Sequence, residues 1–211
     1  MKRIRILLAD DHILVSEGFR KLLEPEFEVV GAVGDGRALL KAAEELKPDL
    51  VLVDVGMPLL NGLDAARQLK KRMPRLKLVF VTMNPDSDLA SEAVRIGASG
   101  YLLKNSHGDE LRKAVRDVVR GMSYPQIRQA MKERFIRDPK AANRPQRLTT
   151  RHREIPQMLA EGRSPKEIAS ILGISVRTVR FHKYEIMKEL GIASNAELVH
   201  YAIKHSLIAP P

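Results

Sequence analysis

The stretch VLVDVGMPLLNG, residues 51–62, decides the fold class and raises a question about function. An apolar run typical of a buried strand ends in a carboxylate, Asp54, which Gly56 and a Met-Pro pair follow. A carboxylate at the end of a buried strand is costly in free energy unless a partner compensates it. Asp54 therefore either caps the helix that follows or binds a ligand, and the remainder of the sequence has to distinguish the two.

Short apolar runs and amphipathic segments alternate on both sides of this stretch. The spacing of Val15, Phe19 and Leu22 is helical, and comparable segments separate the apolar runs. Five strands alternating with five helices predict an α/β fold with a doubly wound, five-stranded parallel sheet. Ligands bind such sheets outside the carboxyl ends of the strands, so candidate site residues are expected there. The predicted strands are 4–9, 29–33, 50–53, 78–82 and 101–103.

Polar side chains stand at four of these strand ends: Asp10 and Asp11, Asp54, Thr82 and Lys104. If the first strand lies between its neighbours, these ends meet at one edge of the sheet. Three acids so close would raise one another's pKa unless a divalent cation kept them ionised, and an all-oxygen site favours Mg²⁺. A metal ion, an ammonium and a hydroxyl beside a carboxylate form a site for a phosphoryl group, with an Asp as the nucleophile.

Each of these residues has an ordinary alternative. An Asp between a strand and a helix is commonly an N-cap, Thr82 suits any strand, and Lys104 suits any solvated surface. The argument therefore depends on five such residues standing at the right strand ends. His12, which opens the first helix, is interpreted as a solvent-facing residue rather than as a base or a phosphate carrier.

Composition excludes several classes of protein. The 211 residues include no cysteine, which rules out disulfides, zinc fingers and thiol nucleophiles. No apolar run approaches the roughly 18 residues of a membrane span, and the N-terminus lacks the features of a signal peptide. We therefore expect a cytoplasmic protein that has no membrane partner.

The net charge of +10 is unevenly spread along the chain. Residues 1–121 hold 20 Lys and Arg against 18 Asp and Glu, whereas residues 122–211 hold 16 against 8. The second part thus calls for an anionic partner, usually nucleic acid, although a solvated basic surface is the alternative. Between the parts, residues 122–147 hold one amphipathic stretch (Ile127, Met131, Phe135) and are otherwise rich in proline and polar residues, which predicts a linker.

Four helix-sized segments and no convincing strand follow the linker. A short turn at Gly173 joins the second segment to the third, which predicts a helix-turn-helix. Pro156 lies inside the first segment and costs about 3 kcal/mol there, so that helix is expected to bend or its domain to be marginal. The expected N-caps are Thr149, Ser164, Ser175 and Ser194.

The third segment combines an apolar face with a basic and aromatic one. Val179 and Ile186 would face inward, while arginine, lysine and aromatic side chains would face outward. Arginine can contact guanine edges, lysine phosphate and an aromatic ring the thymine methyl, as in a recognition helix. Merely solvated positive residues are the alternative. The outward-facing residues are Arg177, Arg180, Phe181, Lys183 and Tyr184.

Residues 1–120 resemble the receiver domain of response regulators through LLADDH, VLVDVGMPLLNG, VFVT and GASGYLLK. The resemblance implies that Asp54 accepts a phosphoryl group. It implies further that Asp11, Asp54 and the Gly56 carbonyl bind Mg²⁺ directly, with Asp10 acting through water. Thr82 and Lys104 would hold the phosphate, and the Tyr101 ring would reorient as Thr82 moves.

Residues 148–207 resemble the LuxR-type helix-turn-helix of NarL/FixJ response regulators through LAEGRSPKEIASILGISVRTVRFH. By this resemblance Arg180, Phe181 and Tyr184 would read the groove of double-stranded DNA, and the last helix would form a dimer surface. The residues expected to contact the DNA backbone are Ser164, Lys166, Arg177 and Lys183.

The sequence thus predicts a two-domain response regulator, with a receiver at 1–121, a linker at 122–147 and a LuxR-type domain at 148–211. A sensor histidine kinase would phosphorylate Asp54, and the protein would dimerise and bind DNA without being a turnover enzyme. Two alternatives remain. One is a Mg²⁺-dependent phosphatase, against which stands Gly56, where a second acid-base carboxylate is needed. The other is an interaction module that works without phosphorylation.

Overall fold

The computed structural model describes residues 3–83, 87–122, 150–205 and 207–208. Its single sheet is parallel throughout and has the strand order β2-β1-β3-β4-β5. The predicted doubly wound α/β fold is confirmed, and β1 lies between two neighbours, as convergence of the acidic residues requires. The strands are β1 (Arg5–Ala9), β2 (Glu28–Val33), β3 (Leu50–Asp54), β4 (Lys77–Thr82) and β5 (Gly100–Leu103).

Helices cover both faces of the sheet, so the central strands are buried on both sides. Every residue of β3 is buried, which explains why it reads as a continuous apolar run. Leu39 and Leu69 belong to the core on one face, and Leu23 and Val115 to the core on the other. The helices are α1 (Ile13–Leu23), α2 (Gly36–Leu46), α3 (Gly62–Arg72), α4 (Ser87–Ile96) and α5 (Gly108–Val119).

Residues 150–205 form a small helical unit with no strand in it. Three of the predicted N-caps are confirmed: Ser164, Ser175 and Ser194 each accept a hydrogen bond from the backbone N–H three residues later. Thr149 and the amphipathic stretch of the linker lie outside the described residues. The helices are α6 (Thr150–Ala160), α7 (Pro165–Leu172), α8 (Val176–Leu190) and α9 (Asn195–Lys204).

Helix α6 continues through Pro156 from Thr150 to Ala160. Ile155 and Met158, on either side of the proline, are both fully buried in the core of the helical unit. Burying a side chain of this size contributes about 1.5–3 kcal/mol. Packing of two such residues therefore offsets the cost of an interior proline.

The two halves of the molecule are in contact through α6. Arg153 binds Asp64 of α3, with 3.0 Å between Nε and Oδ2, and Glu154 binds Arg37 of α2 at 3.2 Å. Gln157 contacts the loop between β3 and α3. Among the residues described, no helix combines the length and the apolar character needed to cross a bilayer.

Candidate functional site

Asp54 does not cap the helix that follows it. The N-cap of α3 is Asn61, whose side-chain oxygen accepts from the backbone N–H of Asp64 at 2.9 Å. Gly62 packs so closely beneath the strand end that a Cβ there would lie 1.8 Å from the Asp54 carbonyl oxygen. The capping alternative for Asp54 is therefore excluded, and its carboxylate is available for a ligand.

The carboxyl ends of β1, β3 and β5 bring two acids and a lysine together. Lys104 Nζ lies 2.8 Å from Asp10 Oδ2 and 3.0 Å from Asp54 Oδ2. All three side chains are at most 6% exposed. Charges this well buried interact strongly, and the lysine holds both carboxylates at one place.

Burial and the neighbouring charges change the pKa values of this cluster. Burial raises the pKa of Asp54, and so does Asp10, although Lys104 and the backbone N–H of Gly56 act in the opposite direction. Burial by itself would lower the pKa of Lys104, but its contacts with Asp10 and Asp54 outweigh that effect and raise it. Lys104 therefore stays protonated, while the ionised form of Asp54 is destabilised until further positive charge arrives.

Asp11 and His12 extend the cluster towards solvent. The Asp11 side chain is 34% exposed, and the His12 ring is 63% exposed, in line with the solvent-facing interpretation. His12 Nδ1 nevertheless lies 2.9 Å from Asp11 Oδ1 and 3.3 Å from Asp10 Oδ1. His12 thus belongs to the acidic site, which the sequence did not indicate because only the tertiary structure defines the direction of the ring.

The cluster has the donors of a divalent-cation site. Potential ligand atoms of Asp10, Asp11, His12 and Asp54 all lie within 4.8 Å of one another. Three carboxylates form the hard oxygen environment that suits Mg²⁺. The charge on Asp54, which burial penalises, also favours a cation. The residues present therefore fit the metal that the sequence predicts.

The remaining receiver residues of the prediction lie around this edge. Thr82 is buried at the end of β4, and its carbonyl accepts from Lys104 N at 2.8 Å. Gly56 follows Asp54 in the loop and lines the adjoining cleft with Asp11. Tyr101 is 5% exposed in β5, so its ring is more buried than an edge-strand tyrosine would be.

Five of the side chains predicted to contact DNA, by reading the groove or by binding the backbone, are exposed on α7 and α8. Phe181 and Tyr184 are 60% and 65% exposed, which is unusual for large aromatic side chains. Arg177, Arg180 and Lys166 are also exposed. We call these five residues the reading face. Its combination of cations and aromatic rings suits contacts with phosphates and base edges.

Two of the predicted DNA contacts are engaged within the protein. The Ser164 hydroxyl caps α7 by accepting from Glu167 N at 3.3 Å. Lys183 is half-buried, and its Nζ donates to Asn195 Oδ1 at 2.8 Å. Contact with DNA through either side chain would have to share or replace these hydrogen bonds.

Sequence reasoning missed the buried polar contacts between the halves. Gln157 is fully buried, and Glu154 and Asp64 are nearly so. Glu154 and Gln157 are polar positions of an amphipathic helix, and their partners Arg37 and Asn61 lie 117 and 96 positions earlier in the chain. Polar residues on such a helix usually face solvent, so no local pattern in the sequence signals these contacts.

Comparisons with known proteins cover nearly the whole chain. The family model of the response regulator receiver domain matches residues 6–116, and that of the luxR family of bacterial regulatory proteins matches residues 146–202. The transcriptional regulatory protein MctR of Rhizobium johnstonii is 35% identical over 98% of this chain and 96% of its own length.

Solved structures of response regulators resemble this chain over both of its halves. A structure of the RcsB response regulator from Salmonella typhimurium has a TM-score of 0.65 and 27% identity, covering 95% of this chain and 97% of that one. RcsB bound to a promoter in the presence of the phosphomimetic BeF₃⁻ has a TM-score of 0.60 and 26% identity, covering 95% and 98%.

Proposed function

Because the chain belongs to the response regulators that join a receiver domain to a LuxR-type DNA-binding domain, we propose that a histidine kinase phosphorylates Asp54 and thereby controls DNA binding. The single observation that carries the proposal is the buried contact of Lys104 with Asp54 and Asp10 at the carboxyl edge of the sheet. The second half of the same chain exposes the reading face.

In the proposed transfer, an Asp54 oxygen attacks the phosphorus of a phosphohistidine. The phosphorus–oxygen bond forms as the phosphorus–nitrogen bond breaks, and the imidazole leaves. Lys104 and Thr82 would bind the oxygens of the transferred group, because an ammonium and a hydroxyl donate to the charge that accumulates there. Tyr101 would change its packing as Thr82 moves.

Mg²⁺ held by Asp11, Asp54 and the Gly56 carbonyl, with Asp10 acting through water, would neutralise charge on those oxygens. Two observations support this proposal. Oxygens of the three carboxylates lie within 4.8 Å of one another, and burial raises the pKa of Asp54, so that a cation would stabilise its ionised form. Because phosphorylation stores the group on the protein, we propose acceptance of one phosphoryl group per site rather than turnover of a substrate.

The proposed domains are a receiver at 1–121, a linker at 122–147 and a DNA-binding domain at 148–211. We propose that phosphorylated copies pair as a homodimer through α9 and bind duplex DNA in the cytoplasm. Arg180, Phe181 and Tyr184 would contact base edges. The backbone contacts would come from Ser164, Lys166, Arg177 and Lys183.

The test is binding of the full-length protein to a duplex DNA library at fixed salt and Mg²⁺, with and without beryllofluoride. We expect tighter, sequence-selective binding with the mimic in the wild type and no response to it in Asp54→Asn. Lys41→Ala, on the exposed surface of α2, is the control and should respond like the wild type.

Three results would contradict the proposal, and the first two would favour the alternatives. Regulation that persists fully in Asp54→Asn would favour an interaction module that works without phosphorylation. Repeated release of inorganic phosphate from a small phosphate ester would favour a phosphatase. Selective DNA binding that ignores beryllofluoride would retain the DNA partner but remove the phosphorylation control.

A further inference from the structure

The cations of the first half are concentrated in one segment that takes no part in the acidic site. Residues 67–77, from the second half of α3 to the start of β4, hold six Lys and Arg and no Asp or Glu. The rest of residues 1–121 holds 14 Lys and Arg against 18 Asp and Glu. A nearly neutral half therefore carries a local excess of positive charge, which attracts anions to this surface.

Part of this segment lines a cleft between α3 and α4, which we call the α3–α4 cleft. Its volume of about 400 Å³ is in the range of pockets that hold small molecules, roughly 300–1,000 Å³. Four cations and one carboxylate line it, so the net charge of the lining is +3. The lining residues are Arg67, Lys70, Lys71, Glu92, Arg95 and Ile96.

Lys70 is a partly buried cation of this cleft that has no counter-charge. Its Nζ donates to two neutral groups, the carbonyls of Leu76 at 2.8 Å and Pro74 at 3.5 Å. Within the part of the chain that the structure describes, no carboxylate pairs with it. Burial lowers its pKa, and no acid acts against this effect. An ammonium has three N–H donors, so a third is left for an anion that would also supply the missing charge.

The stem of Lys70 reaches across to the end of α4. A Cβ added to Gly97, the residue after α4, would lie 3.6 Å from Lys70 Cε. The ammonium is therefore held between the two helices by its stem and by two carbonyls. A cation that is already held loses less conformational entropy on binding a ligand than a solvated lysine does.

Arg95 adds a guanidinium on the α4 side of the cleft. Its Nη2 lies 2.8 Å from Glu92 Oε2, and Glu92 also binds Arg67. A guanidinium has five N–H donors, so this pair leaves donors on Arg95, whose side chain is 39% exposed. Lys71 is exposed at the rim and has no ion pair among the residues described. Ammonium and guanidinium groups that converge in this way are the donors that phosphate oxygens favour.

We propose that the α3–α4 cleft binds a compact polyphosphate anion, either inorganic pyrophosphate or the diphosphate group of a nucleotide. Lys70 and Lys71 would donate to its oxygens from α3, and Arg95 from α4. The ligand would thereby join the two helices. Because neither Asp54 nor the reading face takes part, the proposal stands or falls independently of phosphorylation and DNA binding.

The first experiment is calorimetry on the full-length chain at fixed ionic strength without Mg²⁺, so that the acidic site repels the probes. We expect inorganic pyrophosphate and ADP to bind with one site per chain and adenosine not to bind. Tighter binding of ADP than of pyrophosphate would identify a nucleotide as the source of the diphosphate, and equal or weaker binding the free anion. Adenosine that binds as tightly as ADP would overturn the proposal, as would pyrophosphate that does not bind.

Lys70→Met tests the cation on which the argument depends. Methionine keeps most of the stem between the helices but removes the ammonium. Since a hydrogen bond to a charged group corresponds to about a tenfold change or more, we expect pyrophosphate affinity to fall by at least about tenfold. Unchanged affinity in a Lys70→Met protein whose thermal unfolding shows that it is folded would overturn the proposal.

Arg72→Met is the matched control within the same basic segment. It removes the same charge, but Arg72 binds Glu44 of α2 and does not line the cleft. We expect its pyrophosphate affinity to stay within twofold of the wild type. An equal loss in Arg72→Met and Lys70→Met would show that the anion responds only to the general field of the segment, which contradicts a built site.

Lys166→Ala separates the cleft from the basic reading face. Lys166 is exposed on α7 in the other half of the chain, so we expect pyrophosphate affinity to stay within twofold of the wild type. A loss as large as that in Lys70→Met would assign the anion to the DNA-binding surface and overturn the proposal.

Glu92→Gln should have the opposite sign. It removes the one carboxylate of the cleft and leaves Arg67 and Arg95 with more donors for the ligand. We expect pyrophosphate to bind about fivefold more tightly, as for one added hydrogen bond, and to raise the unfolding midpoint of this variant by more than that of the wild type. Weaker binding than in the wild type would overturn the proposal, and Glu45→Gln on the exposed surface of α2 is the control.

Discussion

At the scale of single residues, the acidic site at the carboxyl edge of the sheet depends on groups that are either very small or charged and buried. Gly62 leaves room for the end of β3, since a Cβ there would meet the Asp54 carbonyl. Asp54 and Lys104 are a buried pair in which burial and attraction compete. Each of these conditions can be tested with one substitution.

Gly62→Ala is expected to disrupt the site. Its Cβ would lie 1.8 Å from the carbonyl oxygen of Asp54, a backbone atom that cannot move without displacing the strand end. We expect the receiver to lose about 3 kcal/mol or more of unfolding free energy, as for severe overpacking, and beryllofluoride binding to disappear. Urea unfolding and calorimetry measure the two effects.

Gly18→Ala serves as the control for Gly62→Ala. Gly18 lies in α1, and a Cβ added there would have no neighbouring atom within 4 Å, so alanine should stabilise the helix by up to about 1 kcal/mol. Equal effects at the two positions would contradict the close approach at Gly62.

Asp54→Asn is expected to stabilise the metal-free protein by about 1.4 kcal/mol for each unit by which burial raises the pKa of Asp54. A raised carboxyl pKa means that Asp54 stays protonated to a higher pH in the folded state than in the unfolded chain. The Asp54 contribution to wild-type stability is therefore lost as pH rises from about 3.8 through the folded pKa, and the variant lacks this contribution. Urea unfolding at a series of pH values measures the difference.

Magnesium should reduce the stability advantage of Asp54→Asn over the wild type at neutral pH. At ten times its Kd, a ligand stabilises the folded state by about 1.4 kcal/mol, so Mg²⁺ should stabilise the wild type by this amount and Asp54→Asn by less. Equal stabilisation of both proteins would contradict a metal site that includes the Asp54 carboxylate.

At the scale of elements, a chain of ion pairs connects α4, α3 and α6. Glu92 of α4 binds Arg67 of α3, which binds Asp64, and Asp64 binds Arg153 of α6. The Arg67 and Glu92 side chains are at most 16% exposed, so solvent screens the pair little. The helix after β4 is thereby connected electrostatically to the helix that docks the second half.

Glu92→Gln is expected to remove about 1.5–3 kcal/mol of unfolding free energy at pH 7, the range for hydrogen bonds to charged groups. Burial would raise the pKa of Glu92, but Arg67, Arg95 and Arg153 outweigh it and lower the pKa. A lowered carboxyl pKa contributes stability above its usual value of 4.5, and this is lost as pH falls through the folded pKa. The difference from wild type should therefore vanish in acid unfolding measurements.

Glu45→Gln is the surface counterpart of Glu92→Gln. Glu45 and Lys41 lie 3.9 Å apart, with side chains more than 60% exposed. A pair of this kind contributes at most about 0.5 kcal/mol. A Glu45 effect as large as that of Glu92 would show that burial does not determine the strength of these pairs.

Pro156→Ala should stabilise the helical half by about 1 kcal/mol. An interior proline costs about 3 kcal/mol, whereas alanine gives up roughly two buried methylene groups worth about 0.8 kcal/mol each. The proline is buried in the middle of α6, so both contributions apply. The unfolding midpoint of the second half measures the result, and a lower midpoint would mean that packing of the ring outweighs the lost hydrogen bond.

At the scale of the whole molecule, charge is divided between the two halves. The near-neutral first half carries the acidic site, and the second half carries most of the net charge of +10. Binding to phosphates releases counterions, so DNA affinity should fall steeply with salt. The salt dependence of DNA affinity therefore follows from the distribution of charge over the second half rather than from any single contact.

Lys166→Ala is expected to weaken binding to duplexes of every sequence by a similar factor and to reduce the slope of log affinity against log salt by about 1. Lys166 is exposed at the start of α7. Lys41→Ala on the receiver should leave the slope unchanged. A sequence-dependent loss in Lys166→Ala would assign that lysine to base contacts instead.

The sequence determined the fold class and most of the candidate site. The hydrophobic periodicity and composition of the sequence predict the ends of the strands to within a residue or two. The reason is that a fully buried parallel strand is apolar along its length, as β3 is up to Asp54. Parallel strands bring their carboxyl ends to one edge, so Asp10, Asp54 and Lys104 could be assigned to one site before any distance was known. Local rules likewise located the serine caps of α7, α8 and α9.

Only the tertiary structure decided what depends on contacts distant in sequence. The sequence left Asp54 open between cap and ligand, and Asn61 resolves this by capping α3 itself. Nothing local indicated that His12 turns towards Asp11, or that Gln157 gives its amide to a loop 96 residues earlier. Pro156 stays in a helix because its neighbours are buried. Local propensities amount to about 1–3 kcal/mol, and packing against a distant surface can exceed that.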